Sequence, residues 1–275
     1  MFDMTNKIAL RFMTASVAVC FMFMPTTVDA QPVPGNADLA DLVTESRTIV
    51  IADVDKTRRI RAEDAPGLAP DFARLLVQAK TAAVVAAARS VPAEMRYLVD
   101  LRRNDRGRAP DIEGARVILF LGAEGGPGEY ALAHKYGQIR WSPERESLVK
   151  RYAASRADPE LVALKPERVT SAFHVPGSLP GESESQIFVE TEAGRPMSLV
   201  VLNRPGETPR YAVSTGDIID TNAAPPEPGS LVALMLACEL PEDLPDGIAM
   251  SGDRAALAAD YAFVRAELGS CDRNF

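Results

Sequence analysis

Two carboxylates at the end of an apolar run are the residues of this chain best placed to do chemistry. Asp53 and Asp55 are one residue apart and follow three β-branched residues at 49–51. Such a run predicts a strand over residues 48–54, and alternate residues of a strand point to one face. A second acidic pair, Asp217 and Asp220, follows another apolar run. Both pairs are therefore candidate catalytic groups.

The segment 53–57 has the form Asp-x-Asp-x-Thr and resembles the first motif of haloacid-dehalogenase-type phosphatases. The resemblance implies that Asp53 is a nucleophile that takes phosphoryl and that Asp55 is the general acid and base. It also implies Mg²⁺ as cofactor, because residues 216–220 are similar to the acidic metal-binding motif of that family. The alternative is a half-solvated strand edge, which the antiparallel strand pattern of residues 169–214 favours.

Histidine offers little further chemistry, because His134 and His174 are the only two in the chain. Neither has a second His or Cys at ligand spacing, so we predict no metal site around them. His174 could serve a serine hydrolase together with Ser178 or Ser183. The surrounding sequence does not match the Gly-x-Ser-x-Gly elbow that such enzymes use in the α/β-hydrolase fold.

The same stretch is our candidate binding loop, because it combines two Pro-Gly turns with several polar side chains. Ordered polar loops on a β scaffold commonly carry function. We expect any ligand contacts to involve His174, Ser178, Glu182 and Ser183. The alternative is a rigid turn between two strands.

Residues 172–186 and the segment Tyr-Ala-Phe-Val at 261–264 resemble sequences of uncharacterised exported proteins of alphaproteobacteria. The resemblance spans most of the chain that follows residue 30. It implies export and no particular activity.

The first thirty residues predict a secretory signal peptide. Lys7 and Arg11 form a basic start, an apolar run over residues 8–24 follows, and Val28 and Ala30 fit a small-residue cleavage site. The apolar run is too short to span a bilayer, so we expect no transmembrane anchor after cleavage. The protein is therefore predicted to be periplasmic or secreted.

Two cysteines lie beyond residue 30, Cys238 and Cys271. An oxidising compartment favours a disulfide between them over a reactive thiol. A closed loop of about 34 residues is worth roughly 3 to 4 kcal/mol in the chain-entropy model.

The composition of the chain limits the classes of partner that we expect. The 275-residue chain has a formal net charge of −8 and is 47% hydrophobic, which is typical of a folded globular protein. A negative field repels phosphate backbones, so nucleic acid is not expected as a partner. We expect an envelope protein or a small ligand instead.

The pattern of apolar runs, turns and caps predicts an α+β fold that is predominantly antiparallel β. Two β-rich halves are joined by helices, and a helix capped by Ser251 follows. Residues 72–89 satisfy both helix and strand periodicity, and the strand-like spacing of later runs favours a strand. The predicted organisation is listed by residue range: signal peptide 1–30, leader 31–46, β-rich domain 47–142 with a small barrel of the oligonucleotide-binding or netrin-like type, helical connector 143–165, and β-meander with a C-terminal helix 166–275.

These observations favour a non-catalytic binding or structural role in the cell envelope, without a cofactor. The alternative from another functional class is an Mg²⁺-dependent phosphohydrolase that uses Asp53 and Asp55.

Overall fold

A computed structural model describes residues 32–215 and 223–275. The helices are α1 (Asn36–Glu45), α2 (Pro143–Arg156), α3 (Pro159–Val162), α4 (Leu231–Glu239) and α5 (Arg254–Leu268). The first six strands are β1 (Thr48–Arg59), β2 (Phe72–Ala87), β3 (Glu94–Arg102), β4 (Arg116–Gly126), β5 (Glu129–Leu132) and β6 (Gln138–Arg140). The other five are β7 (Pro166–Pro176), β8 (Ser183–Thr191), β9 (Pro196–Asn203), β10 (Arg210–Thr215) and β11 (Ala249–Ser251).

The first sheet closes on itself. Its strands follow the order β1-β2-β3-β5-β4-β6, and β4 also pairs with β1, so five strands form a ring that we call the barrel. Neighbouring strands are antiparallel except for β3 and β5. Inward side chains such as Val50, Val77, Tyr97 and Leu119 fill the ring and are almost completely buried. Closure leaves few of the free edges that an open sheet of this size would expose; β3 stays unpaired on its β5 side after Tyr97.

Helices cover one side of the barrel. Leu39 and Leu42 of α1 and Val149 of α2 pack against outward residues of β1 and β4, among them Ile49 and Phe120. This is why both faces of β1 and β4 are apolar near their paired ends. Helix α2 reaches β2 only at its end, where Val85 and Ala86 pack in the same core. The outer face near Leu76 and Leu98 is not covered by a helix of the described residues, and Leu98 is 47% exposed there.

Strands β7 to β11 form the second sheet, which we call the meander sheet, in the order β10-β9-β8-β7-β11. Helix α5 covers it through Leu257, Tyr261 and Val264. Helix α4 contributes to both cores, because Leu236 packs with the meander sheet and Leu234 with the barrel helices. Helix α4 therefore packs against both the meander sheet and the helices that cover the barrel.

The predicted fold class is confirmed: the chain is α+β, with mostly antiparallel strands and a helix after them. The ambiguous residues 72–89 form strand β2, as favoured. Ser142 and Asp158 cap α2 and α3 through their side chains, as Ser-Pro-Glu and Asp-Pro-Glu predict. No helix of the described ranges combines the length and apolarity needed to cross a membrane.

Several sequence expectations were wrong. Residues 31–46 are not an irregular leader, because α1 lies within them and buries Leu39 and Leu42. Strand β1 does not end at residue 54, since pairing with β2 carries it to Arg59. The cap of α5 is Asp253 rather than Ser251, because Ser251 belongs to β11. Strand β11 also pairs in parallel with β7, which a simple meander does not include.

Candidate functional site

Asp53 and Asp55 lie within strand β1 rather than in a loop that follows it. Asp53 accepts hydrogen bonds of 2.7 and 2.9 Å from Arg116 of β4. Asp55 accepts one of 2.8 Å from Lys80 of β2. These hydrogen bonds are the main reason why the pKa of each carboxyl is lowered from its usual value.

Both carboxylates therefore have a cation as partner on a neighbouring antiparallel strand. The phosphatase resemblance implies β–α units with the acids in a strand-end loop, and Asp53 and Asp55 do not occupy such a position. Asp217 and Asp220 lie outside the described residues. Within the ranges 32–215 and 223–275, no three His, Cys, Asp or Glu side chains come together as metal ligands could.

The meander sheet contains a Ser, a His and an Asp in mutual contact. His174 of β7 lies 2.9 Å from Ser185 of β8, measured from Nδ1 to Oγ. Ser185 Oγ donates to Asp260 Oδ2 of helix α5 at 2.5 Å. Asn203 of β9 donates from Nδ2 to Asp260 Oδ1 at 3.0 Å and to Ser183 Oγ at 3.1 Å. We call these five residues the polar cluster.

The order of contacts excludes nucleophilic catalysis by this cluster. A catalytic serine must be activated by His and reached by substrate. Ser185 instead lies between His174 and Asp260, and it is completely buried. Its single proton is directed at the carboxylate, so Oγ accepts from His174 Nδ1–H. The cluster satisfies buried polar groups where α5 contacts three strands.

Gly252 keeps the backbone close to this cluster. Its φ is +86°, and a Cβ there would lie 2.2 Å from the carbonyl oxygen of His174. Any larger residue would therefore push the start of α5 away from β7, and with it Asp260 from Ser185.

Ser178 and Glu182 close the β7–β8 hairpin. Glu182 Oε2 accepts from the backbone N–H of Ser178 at 3.1 Å and of Leu179 at 3.3 Å. The Gly177 N–H donates to the carbonyl of Glu182 at 2.7 Å. Of the predicted binding residues, His174 and Ser183 thus join the polar cluster, while Ser178 and Glu182 stabilise the turn.

A disulfide joins Cys238 of α4 to Cys271, which follows α5. The next residues contact the beginning of α1. Asp272 accepts hydrogen bonds from the backbone N–H groups of Asn36 and Ala37 at 3.0 and 3.3 Å. A Cβ at Gly35 would lie 1.9 Å from the Asp272 carbonyl oxygen, so the approach requires glycine. We call residues 271–275 the clasp.

The clasp also reaches the barrel. Phe275 stacks on His134, with ring centroids 5.6 Å apart, and lies 4.5 Å from the ring of Tyr136. Asp38 of α1 accepts from the N–H groups of Asn274 and Phe275 at 2.9 and 3.4 Å. The disulfide therefore connects, through five residues, helix α4 with α1 and with the loop between β5 and β6.

A groove on the uncovered side of the barrel is the most promising surface of the described chain. It has a volume of about 690 Å³ and lies between β2, β3, β5 and the loop that holds His134. Leu76 of β2 is directly opposite Leu98 of β3, and Arg58 of β1 is opposite Leu76. We call this groove the barrel cleft. Its lining includes Arg58, Arg74, Leu76, Arg96, Leu98, Asp100, Glu129, Tyr130 and Lys135.

The barrel cleft is basic although the whole chain is acidic. Arg74 holds Asp100 through two hydrogen bonds of 2.7 Å, and Arg96 pairs with Glu129 at 3.0 Å. Lys135 lies 4.7 Å above the ring of Tyr136. Arg58 has no acidic partner among the described residues. Four cationic side chains thus surround two carboxylates and two exposed or half-exposed leucines.

Sequence reasoning did not identify this cleft. The signals were an outward Leu98 in the alternating strand β3 and an outward Leu76 in β2, each flanked by arginine two residues away. Only the register between strands shows that the two leucines are adjacent. Of the five residues of the polar cluster, the sequence indicated His174 and Ser183 as binding residues. It did not indicate Ser185, Asn203 or Asp260.

Comparison with known proteins adds no assignment: no protein-family model and no curated protein sequence matches this chain.

Proposed function

We propose that this chain is a non-catalytic binding protein of the cell envelope that holds its ligand in the barrel cleft. The location rests on the signal peptide predicted over residues 1–30. The observation that carries the binding proposal is the exposed Leu98 beside the half-buried Leu76, with Arg58, Arg96 and Lys135 around them. Apolar surface of this kind with cations at its rim is typical of a binding surface.

Energy considerations support a ligand that covers this surface. Complete burial of a fully exposed Leu side chain contributes roughly 1.5 to 3 kcal/mol. Leu98 is 47% exposed and Leu76 is half-buried, so covering both contributes at most about that amount. The cations at the rim add attraction for a negatively charged group. The outer face of strands 2 and 3 is also where small Greek-key barrels commonly bind extended ligands.

The other polar sites of the described chain support this choice by their own geometry. Asp53 and Asp55 are paired with cations, and Ser185 is buried between its partners. Their side chains are engaged in holding strands and helix α5 together. The barrel cleft has the combination of access, apolar surface and incompletely paired charge that a ligand requires.

The anionic aromatic dye 8-anilinonaphthalene-1-sulfonate tests the cleft directly, because it needs an apolar surface beside a cation. We expect saturable fluorescence enhancement by the purified native protein, weakened about tenfold in Leu98→Glu. The matched control is Val84→Glu, since Val84 is 50% exposed on the same strand system but outside the cleft. Equal dye binding by both variants and the parent, or none by the parent, would reject the proposal.

A further inference from the structure

Strand β3 is incompletely paired beside the barrel cleft. It pairs with β2 from Glu94 to Arg102, but with β5 only at Arg96–Glu129 and Tyr97–Tyr130. From Leu98 onward β3 forms no pairing with β5, or with any other strand of the described chain, on that side. An unpaired strand edge of this kind exposes a row of backbone donors and acceptors.

The direction of these backbone groups follows from one hydrogen bond. The Arg96 N–H donates to the Gly128 carbonyl at 2.7 Å, toward β5. Backbone groups of alternate residues in a strand point to the same side, so the carbonyl of Leu98 and both backbone groups of Asp100 also point away from β2. Leu98, Asp100 and Tyr130 all line the cleft. The open edge and the cleft are therefore one surface.

We propose that the ligand of the barrel cleft is an extended acidic segment of a partner protein, which pairs as an added strand with β3 at residues 98–102. This inference rests on the proposed function and names its ligand class. Strand addition uses main-chain hydrogen bonds for affinity and side-chain contacts for specificity. The repeating backbone groups of the open edge match a peptide backbone.

Charge and shape select the side chains of the segment. Residues of an added strand point alternately to the two faces, so every second side chain faces the outer surface that carries Leu76 and Leu98. Aliphatic side chains at these positions would cover Leu98, and Leu76 lies one strand further away. Arg96 is two residues before Leu98 and shares this face, so carboxylates at other outward positions of the segment would meet Arg96 and Lys135. Lys135 is available without breaking an ion pair of the described residues.

A labelled decapeptide tests the proposal by fluorescence anisotropy: every second residue is threonine, the residues between them alternate between glutamate and valine, and both ends are blocked, so that glutamate and valine share one face. We expect saturable binding that weakens with added salt and is about tenfold weaker for the counterpart with lysine in place of glutamate. The same acidic peptide N-methylated at alternate residues keeps the charge but loses strand pairing on one edge. Peptides methylated in the two alternate registers should differ, with one losing most of its binding.

Protein variants locate the contact. Lys135→Glu should weaken peptide binding about tenfold, whereas Arg204→Glu, the same charge change at an exposed residue outside the cleft, should leave it unchanged. Both variants should keep the unfolding midpoint of the parent, which shows that each is folded. Equal weakening by the two variants would mean that only overall charge is sensed and would overturn the assignment.

The outcomes separate the two proposals. Dye binding at the cleft without peptide binding would reject the acidic segment and leave the proposed function in place. Loss of both would reject both. Full binding by both methylated peptides would reject strand addition. Displacement of the dye by anionic phospholipid vesicles or a sulfated oligosaccharide, but not by the peptide, would assign the cleft to that ligand and overturn the inference.

Discussion

The meander sheet and the barrel place their polar side chains in opposite environments. In the meander sheet, Ser185 and Asp260 are buried and bonded to each other within the polar cluster. In the barrel, Arg58 and Arg96 lie on an open face beside Leu98, which is half exposed. The polar side chains of the cluster satisfy one another, and the exposed cations adjoin apolar surface that has no cover among the described residues.

This difference indicates which polar groups mark a binding surface. A Ser, a His and an Asp in contact look like catalysis, but full burial and mutual satisfaction make them part of the structure. An arginine beside an exposed leucine looks ordinary in a sequence, but in three dimensions it marks a surface. The comparison predicts that cluster variants affect stability and that cleft variants affect binding.

The largest expected loss of stability follows from removal of the disulfide, which holds helix α4 in place between the two sheets. The Cys238→Ser, Cys271→Ser double variant should lose roughly 3 to 4 kcal/mol of unfolding free energy, because the unfolded chain gains the entropy of an open loop. Urea unfolding measures the change. The reduced parent protein is the matched control and should show the same loss. A loss below about 1 kcal/mol would show that the clasp holds α4 without the covalent bond.

Asp260→Ala should have the next largest effect, a loss of about 3 kcal/mol of unfolding free energy, because Ser185 and Asn203 would remain buried without their shared acceptor. Asp260→Asn keeps an acceptor and should lose less. Dye binding at the barrel cleft should remain unchanged in both variants. A cluster variant that stayed fully stable would remove the contrast between the two sheets.

Each region also holds a buried tyrosine. Tyr261 donates to the Pro241 carbonyl at 2.6 Å, and burial raises its pKa from 10.0 to about 12. Burial also raises the pKa of Tyr97, which donates to Gln138 inside the barrel at 2.7 Å. Because the folded pKa values exceed the unfolded one, the stabilisation is complete below pH 10.0 and is lost as the pH rises toward about 12.

For Tyr261 the stabilisation lost at high pH is on the order of 2 kcal/mol of unfolding free energy. Absorbance at 295 nm should show Tyr261 ionising near pH 12 and Tyr97 ionising only as the fold is lost. Tyr261→Phe should remove the first of these signals. Ionisation of both residues near pH 10.0 would mean that neither core excludes water.

Asp53→Asn should cost at most about 1 kcal/mol, because its ion pair with Arg116 is almost half exposed and screened by solvent. We expect no Mg²⁺-dependent hydrolysis of p-nitrophenyl phosphate by the parent protein. Turnover by the parent that Asp53→Asn abolishes would instead support the phosphohydrolase alternative.

The smallest effect is expected for Leu98→Ala, within about 0.5 kcal/mol of the parent. Val77 of β2 is 0% exposed, points into the barrel and does not line the cleft, so Val77→Ala should cost about 2 kcal/mol. Only Leu98→Ala should weaken dye binding. A large stability loss from Leu98→Ala would make Leu98 part of the core and weaken the case for the cleft.

Local signals in the sequence were sufficient for most elements. The Ser-Pro-Glu and Asp-Pro-Glu starts of α2 and α3 specify helices within a few residues, and alternation specifies β3. Helix α1 could not be predicted in this way, because residues 272–275 satisfy its first backbone N–H groups and Asp38 from more than two hundred residues away. The cleft depends on register: Leu76 and Leu98 meet only because β2 and β3 pair as they do.

Asp260 shows a second limit. It is buried where the helix contacts three strands, and its partners Ser185 and Asn203 belong to those strands. The i, i+4, i+7 spacing of Leu257, Tyr261 and Val264 predicts a core face, and the core contains all three. Position 260 lies on that same face, three residues after Leu257, but the sequence does not show which side chains satisfy an acid there.

The clasp has a consequence for the order of folding. Helix α1 is only ten residues long, and isolated helices shorter than about 12 residues are marginal in water. Its first turn is completed by Asp272, and that residue is positioned by Cys271 and its bond to α4. During synthesis, α1 therefore leaves the ribosome long before its partners exist. We expect it to become ordered among the last elements, after α5 has docked and the disulfide has formed.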